Sequence, residues 1–137
     1  MPRTCRVLIV EDNEGIQELL GDLFSHEGFR FTVVTDGKSM RHALDEGDVD
    51  VIVLDIVLPG GEDGFALADQ ASARGFPVVL VTGSHEHFHR LENCGHPYLL
   101  KPFYVGSLLK QVQRALRRSR AKCRIKDQDF STIQLVT

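Results

Sequence analysis

The stretch VIVLDIVLPGGEDG, residues 51–64, decides how the rest of the sequence is interpreted. Residues 51–54 form an apolar run that is typical of a strand buried on both faces. The run ends on Asp55, and the Pro-Gly-Gly sequence at residues 59–61 excludes a helix directly after it. Because aspartate is common where a strand enters a turn, this stretch taken alone also fits a turn without a function.

Short β-branched runs alternate with helical patterns along the chain. Strands are predicted at residues 6–10, 31–34, 51–54, 78–81 and 97–100. Apolar residues recur at helical spacing at residues 16–24, 40–44, 65–71 and 104–122. This alternation predicts the α/β class and a flavodoxin-like, doubly wound (βα)5 fold. Its five-stranded parallel sheet would have the order 2-1-3-4-5.

Chemically active residues follow the predicted strands. Glu11 and Asp12 come after the first strand, Asp55 after the third, Thr82 after the fourth and Lys101 after the fifth. In the predicted strand order the three carboxylates converge, and they would repel one another without a cation. Mg²⁺ is the hard, oxygen-binding cation that also tolerates phosphate ligands. With a hydroxyl and an ammonium facing it, Asp55 is equipped to accept a phosphoryl group as a nucleophile.

The motifs VLIVEDN, VIVLDIVLPGGEDG, LVTGS and YLLKPF, in this order, resemble the receiver domain of bacterial two-component response regulators, the CheY-like family. The resemblance covers roughly residues 5–120. It implies that a sensor histidine kinase, or a phosphotransfer protein, phosphorylates Asp55. It also implies Mg²⁺, with Mn²⁺ as an alternative, held by Glu11, Asp12, Asp55 and the backbone carbonyl of Val57.

The same resemblance implies a conformational switch. Thr82 and Tyr98 would be the switch residues, and Lys101, with Thr82, would contact the phosphoryl group on Asp55. The Lys101–Pro102 bond would be cis. The protein would be a phosphoacceptor signalling protein and not an enzyme. It would assist its own phosphorylation and dephosphorylation and would signal through protein–protein contacts to a target that the sequence does not identify.

Two departures from the family pattern have structural consequences. The loop after Asp55 is one residue longer than usual at Gly60 and Gly61, and two glycines absorb an insertion easily. The stretch between Thr82 and Lys101 is about three residues shorter than usual, which predicts a short or irregular fourth helix.

Other functions fit the sequence less well. A phosphatase of the haloacid dehalogenase type uses Asp, Thr and Lys in this order, but its nucleophile follows the first strand, with a second aspartate where Val57 stands here. A flavodoxin-like cofactor carrier needs a phosphate-binding loop after the first strand, where this chain is acidic. His85 and His89 have a spacing that can bind zinc, but we favour an exposed polar helix. Asp36 is predicted to cap or flank the second helix rather than to join the site.

Composition predicts one ordinary globular domain. The chain has 137 residues, of which 42% are hydrophobic and 26% charged, with no apolar run of membrane-spanning length. We therefore expect a cytoplasmic protein without membrane contact. Cys5, Cys94 and Cys123 are widely spaced, which favours reduced thiols over a disulfide framework.

The end of the chain differs in charge and composition from the rest. Residues 110–126 contain eight basic residues and no acidic one, whereas residues 1–109 have a net charge of −9. We favour a solvent-facing helix end over nucleic-acid binding.

Residues 1–122 are predicted to form the receiver domain and residues 123–137 an extension. The extension could cover its own domain, but we favour a dimerisation arm and expect a homodimer. The few residues after Lys122 cannot form an output domain, so the chain is either a stand-alone receiver, which we favour, or a fragment of a longer regulator.

Overall fold

The computed structural model describes residues 3–124 and 135–137, which form alternating strands and helices. The elements, in chain order, are β1 (Arg6–Val10), α1 (Glu14–His26), β2 (Arg30–Val34), α2 (Gly37–Asp45), β3 (Val51–Asp55), α3 (Gly64–Ala73), β4 (Val78–Thr82), a 3-10 turn (His85–His87), α4 (Phe88–Asn93), β5 (Tyr98–Leu100), β6 (Phe103–Tyr104), α5 (Val105–Arg118) and β7 (Leu135–Val136). None of the described helices is long and apolar enough to cross a bilayer.

The sheet has five parallel strands in the order β2-β1-β3-β4-β5, which confirms the predicted topology. One core cluster joins α1 and α5 to one face of the sheet, and a second joins α2, α3 and α4 to the other. Every residue of β3 and β4 is buried. Burial on both faces explains why these strands are apolar throughout and why Asp55 stands at the end of such a run.

Three helices begin at a side-chain cap. Asn13, Asp36 and Asp63 accept hydrogen bonds from backbone N–H groups in the first turns of α1, α2 and α3, respectively. The prediction that Asp36 caps a helix is therefore confirmed. These caps satisfy N–H groups that have no partner inside the helix.

The two departures from the family pattern have clear structural outcomes. Gly60 and Gly61 have φ angles of 89° and 74°, a region that glycine occupies without strain. The insertion therefore forms a turn. The predicted short fourth helix is confirmed, because α4 has 6 residues and follows a 3-residue 3-10 turn. The Lys101–Pro102 peptide bond is cis.

The last helix is shorter than the sequence pattern predicts. It ends at Arg118, whereas its periodicity suggested residue 122. Arg120 has a φ angle of 56°, which breaks the helical path. The N–H groups of Ser119 and Ala121 donate to the carbonyls of Ala115 and Leu116, which satisfies the helix end.

The prediction of three reduced thiols is wrong for two of them. Cys5 and Cys123 form a disulfide between residues 118 positions apart, and only Cys94 is free among the described cysteines. After α5 the chain returns to the start of β1, where the N–H of Arg124 donates to the carbonyl of Arg3 over 2.6 Å. The sequence spacing could not show this contact, because it depends on where α5 ends.

The last described residues lie on their own domain. β7 pairs antiparallel with β6, with Val136 opposite Phe103 and Leu135 opposite Tyr104. Val136 is fully buried in the core cluster that contains α1 and α5. For Leu135–Val136 the structure thus shows the alternative that we did not favour, a segment that covers its own chain. Residues 125–134 lie outside the described residues.

Candidate functional site

An open cavity of about 630 Å³ lies at the carboxyl ends of the central strands. It is lined by the predicted acidic residues, by Lys101 and by one of the two predicted switch residues, Thr82. Its lining consists of Glu11, Asp12, Asn13, Ile16, Asp55, Val57, Thr82, Gly83, Ser84 and Lys101. Parallel strands deliver these residues to one edge of the sheet, as expected for a doubly wound fold.

Three carboxylates meet in this cavity. One oxygen each from Glu11, Asp12 and Asp55 lies within 4.8 Å of the others. Glu11 and Asp55 are buried, whereas Asp12 is exposed to solvent. The cluster is therefore shielded from solvent at Glu11 and Asp55 and open to solvent at Asp12. Such a set of oxygen ligands could hold a hard divalent cation that keeps some of its water.

Lys101 is the cation that faces this cluster. Its Nζ atom lies 3.7 Å from Asp55 Oδ2 and 3.8 Å from Glu11 Oε2, and its side chain is mostly buried. The N–H of Lys101 donates to the carbonyl of Thr82 over 2.8 Å, which fixes the lysine beside β4. One ammonium therefore faces three carboxyl groups in this cavity.

The pKa of the buried Glu11 carboxyl is raised by its surroundings in this cluster. Burial first, and the neighbouring Asp55 carboxyl second, raise the pKa of Glu11 to about 8, although Lys101 opposes the shift. Glu11 Oε2 is buried and has no hydrogen-bonding partner among the described residues. A carboxyl that is expensive to ionise, with one oxygen that accepts no hydrogen bond, fits a site that takes a cation.

The two carboxylate oxygens of Asp55 have different partners, and one of them faces Lys101. The N–H of Val57 donates to Asp55 Oδ1 over 2.9 Å, while Oδ2 faces Lys101. The Val57 side chain is 52% exposed at the cavity rim. The N–H of Ser84 donates to the Thr82 hydroxyl oxygen over 3.1 Å, which orients that hydroxyl at the end of β4.

Other predicted residues lie outside the cavity lining. Tyr98 is half-buried on β5 and packs against the core cluster of α2, α3 and α4. His85 and His89 belong to no three-residue metal-binding group in the described part of the chain. Both histidines are exposed, as expected for a polar segment.

A second group of potential metal ligands is already occupied by other interactions. Donor atoms of Cys5, Asp50 and Cys123 lie within 4.8 Å of one another. The two sulfurs are bonded to each other, and Asp50 accepts two hydrogen bonds from the Arg3 guanidinium and one from the N–H of Arg6. Burial alone would raise the pKa of Asp50, but these hydrogen bonds hold it below its ordinary value.

Sequence reasoning missed several residues that support the site. The side-chain amide of Gln17 donates to the carbonyl of Glu11 over 2.6 Å, and the N–H of Asn13 donates to Glu11 Oε1 over 3.3 Å. Asn13 directly before a helical pattern was a recognisable cap signal. Arg90 contacts both Asp63 and the ring of Phe65, which ties α4 to the start of α3. No sequence signal identified that contact.

Comparison with known proteins places the chain in a family. The response regulator receiver domain family matches residues 7–113, so the chain belongs to this family. The sensory transduction protein RegX3 of Mycobacterium tuberculosis is 36% identical over 116 residues, which are 82% of this chain and 51% of RegX3. The transcriptional regulatory protein CusR of Escherichia coli is 36% identical over 121 residues, which are 85% of this chain and 53% of CusR. The chain spans about half the length of the curated relatives it matches.

Solved structures agree with this assignment. The receiver domain of the TMAO respiratory response regulator TorR superposes with a TM-score of 0.74 at 31% identity, over 83% of this chain and 98% of that receiver-domain chain. The response regulator TrrA of Thermotoga maritima, whose structure is a complex with Mg²⁺–BeF, has a TM-score of 0.73 at 25% identity, over 82% of this chain and all of TrrA. The protein is therefore a receiver domain of the CheY-like fold.

Proposed function

We propose that Asp55 is the phosphoacceptor of this receiver and that a sensor histidine kinase, or a phosphotransfer protein, is its phosphodonor. The observation that carries the proposal is the placement of Asp55 Oδ2, which lies 3.7 Å from the Lys101 ammonium while the other oxygen accepts from the Val57 N–H. One oxygen is held in place, and the other lies where an incoming phosphoryl group would meet a cation.

Glu11, Asp12 and Asp55 are the residues that we propose hold Mg²⁺, with Mn²⁺ as an alternative and with the Val57 carbonyl as a further ligand. The close approach of the three carboxylates and the raised pKa of Glu11 support this choice. When bound, the ion neutralises charge on the phosphoryl oxygens. Lys101 supplies the second positive charge, and the Asp55 carboxylate supplies the nucleophile that forms an acyl phosphate.

Thr82 and Tyr98 are the proposed switch residues. Thr82 lines the cavity and is the last residue of the buried strand β4. A new hydrogen bond from its hydroxyl to the phosphoryl group would therefore move the end of that strand. Tyr98 is half-buried next to this strand on β5 and would respond to the space that Thr82 leaves. In this scheme the protein signals by contact and is not an enzyme, although its own residues assist phosphorylation and dephosphorylation. The proposal includes a cytoplasmic location, which rests on the family.

The first prediction tests the phosphorylation site directly. Incubation with acetyl phosphate and Mg²⁺ should add the mass of one phosphoryl group to the intact protein, as seen by mass spectrometry. Asp55→Asn should add none, because the amide is not a nucleophile for this reaction. Asp36→Asn is the matched control, because Asp36 caps α2 and does not line the cavity. Labelling of Asp55→Asn, or labelling that persists in EDTA, would show that the assignment is wrong.

We also propose that the protein forms a homodimer through α5, β5 and the extension at residues 123–137. The paired side chains of Tyr104 and Leu135 support this proposal, because both are large, apolar and exposed on the outer side of β6 and β7. An exchange of the terminal segment between two chains is a low-cost route to a dimer.

The second prediction concerns this assembly. Sedimentation at tens of micromolar should show a dimer for the full chain and a weaker dimer for a version that ends at Lys126, because the truncation removes β7. Tyr104→Ser should weaken the dimer while β7 is still present. If the full chain and the truncated version are both monomers, or dimerise equally strongly, the extension has no role in dimerisation.

A further inference from the structure

The disulfide between Cys5 and Cys123 joins the two regions of the chain that lead to the phosphorylation site. Cys5 directly precedes β1, which ends next to Glu11 and Asp12. Cys123 follows α5, and the chain before α5 leads back through β6 to Lys101. Both sulfurs belong to the core cluster that also contains Phe103 and Val136. The bond is therefore part of the same packed layer as the pairing of β6 with β7.

We propose that Cys5 and Cys123 form a reversible thiol–disulfide site, and that the disulfide anchors the C-terminal extension against β6. The structure shows where the anchor acts. Residues beyond Cys123 return to the domain at Leu135–Val136, opposite Phe103 and Tyr104. Phe103 is two residues after Lys101, so the extension is seated beside the loop that carries the cavity lysine.

Both cysteines are buried, but Cys123 lies on a segment outside the helices and strands, whereas Cys5 directly precedes β1. Besides the disulfide, the segment at Cys123 is held by the hydrogen bond from Arg124 to Arg3 and by the isolated bridge between Thr4 and Arg124. Arg124 is exposed. Cys5 is fully buried beside β1, and Cys123 is 6% exposed. Opening of the Cys123 segment therefore does not require the sheet to open, and local opening of this kind costs less than global unfolding.

The exposed residues next to Cys123 in sequence are positively charged and would attract an anionic redox partner. Arg120, Lys122 and Arg124 surround the cysteine in sequence and are exposed. A low-molecular-weight thiol or disulfide that carries carboxylates, of the glutathione type, would be attracted to this segment. Among the described residues, the carboxylate of Asp50 lies within 4.8 Å of the two sulfurs, and it is already paired with Arg3.

The chemistry balances by thiol–disulfide exchange. The thiolate of Cys123 attacks one sulfur of a small disulfide, forms a mixed disulfide and releases one small thiolate. The thiolate of Cys5 then attacks the Cys123 sulfur of the mixed disulfide and releases the second small thiolate. The two protein thiols lose two protons and two electrons, and the small disulfide becomes two small thiols. An excess of the small thiol reverses both steps.

The test combines a redox titration with amide hydrogen exchange. Protein at native pH, with EDTA present, is equilibrated with mixtures of reduced and oxidised glutathione, and the thiols are counted by alkylation and mass spectrometry. We expect the Cys5–Cys123 bond to open and close while circular dichroism stays native. In the reduced state, the amides of Leu135 and Val136 should exchange at least tenfold faster than in the oxidised state. The amides of β3 should exchange with little change.

Two variants keep the test decisive. Cys123→Ser in the full chain should show the fast exchange at Leu135 and Val136 under oxidising conditions. Cys94→Ser should behave as the unaltered protein, because Cys94 is the free thiol on the other side of the sheet. The proposal is overturned if the bond resists reduction until the protein unfolds or if the thiols do not pair under native conditions. It is also overturned if exchange at Leu135 and Val136 is equal in the two redox states.

Discussion

Replacement of Gly64 by alanine should destabilise the protein by about 3 kcal/mol. A Cβ atom at Gly64, the first residue of α3, would stand 2.4 Å from the Cα atom and 2.6 Å from the carbonyl oxygen of Ile56. These are backbone atoms of a buried residue directly after β3, so neither side can move without shifting the loop that follows Asp55. The measurement is urea unfolding of the variant and the unaltered protein, followed by circular dichroism.

Gly37→Ala is the matched control for this substitution. Gly37 is also the first residue of a helix and also follows a capping aspartate, Asp36. A Cβ atom there would meet the carboxylate of Glu62. That carboxylate ends a flexible, half-exposed side chain that can turn away from α2 at the expense of its ion pair with Arg41. We expect a loss below about 1 kcal/mol. Equal losses for the two variants would contradict the argument from the rigid backbone.

The second large effect should come from Glu11→Gln, and it should depend on pH. The pKa of Glu11 is about 8 in the folded protein, against an ordinary value of 4.5. The folded state therefore binds a proton at neutral pH that the unfolded state has released. Stability that depends on this proton is lost as the pH rises through about 8. Glutamine has no such proton to lose, so its advantage over glutamate should grow with pH.

The expected difference is on the order of 2 kcal/mol between pH 5 and pH 9, because water at the open cavity reduces the full effect of the pKa shift. Urea unfolding in EDTA, repeated at several pH values, measures it. Glu14→Gln removes one negative charge from an exposed position at the start of α1 and corrects for the general change in charge. A constant difference between Glu11→Gln and the unaltered protein over this pH range would contradict a raised pKa.

Most of the sheet could be predicted from sequence because its strands carry a strong local signal. Residues 51–54 and 78–81 are apolar without interruption, and burial on both faces requires that composition. Helix ends were less predictable. The end of α5 depends on the left-handed backbone of Arg120, and the sequence offers an arginine where a glycine would have been the usual signal.

The candidate site likewise has a part that the sequence predicts and a part that it does not. Its members could be named in advance because each stands directly after a strand, and the strand order then brings Glu11, Asp55 and Lys101 together. The contacts between distant segments could not be named. The disulfide of Cys5 with Cys123 and the pairing of Val136 with Phe103 depend on where the chain goes after α5, which no periodicity encodes.

The pairing of β6 with β7 has a practical consequence for labels and fusions. Arg3 lies three residues before β1, at the end of the sheet opposite the cavity, so a tag placed before it should leave the cavity untouched. Thr137 directly follows Val136, which is seated against the strand that begins two residues after Lys101. A fluorescent protein attached at Thr137 would therefore sit beside the pocket and would crowd the approach of a kinase. A reporter should therefore be attached before Arg3 and not after Thr137.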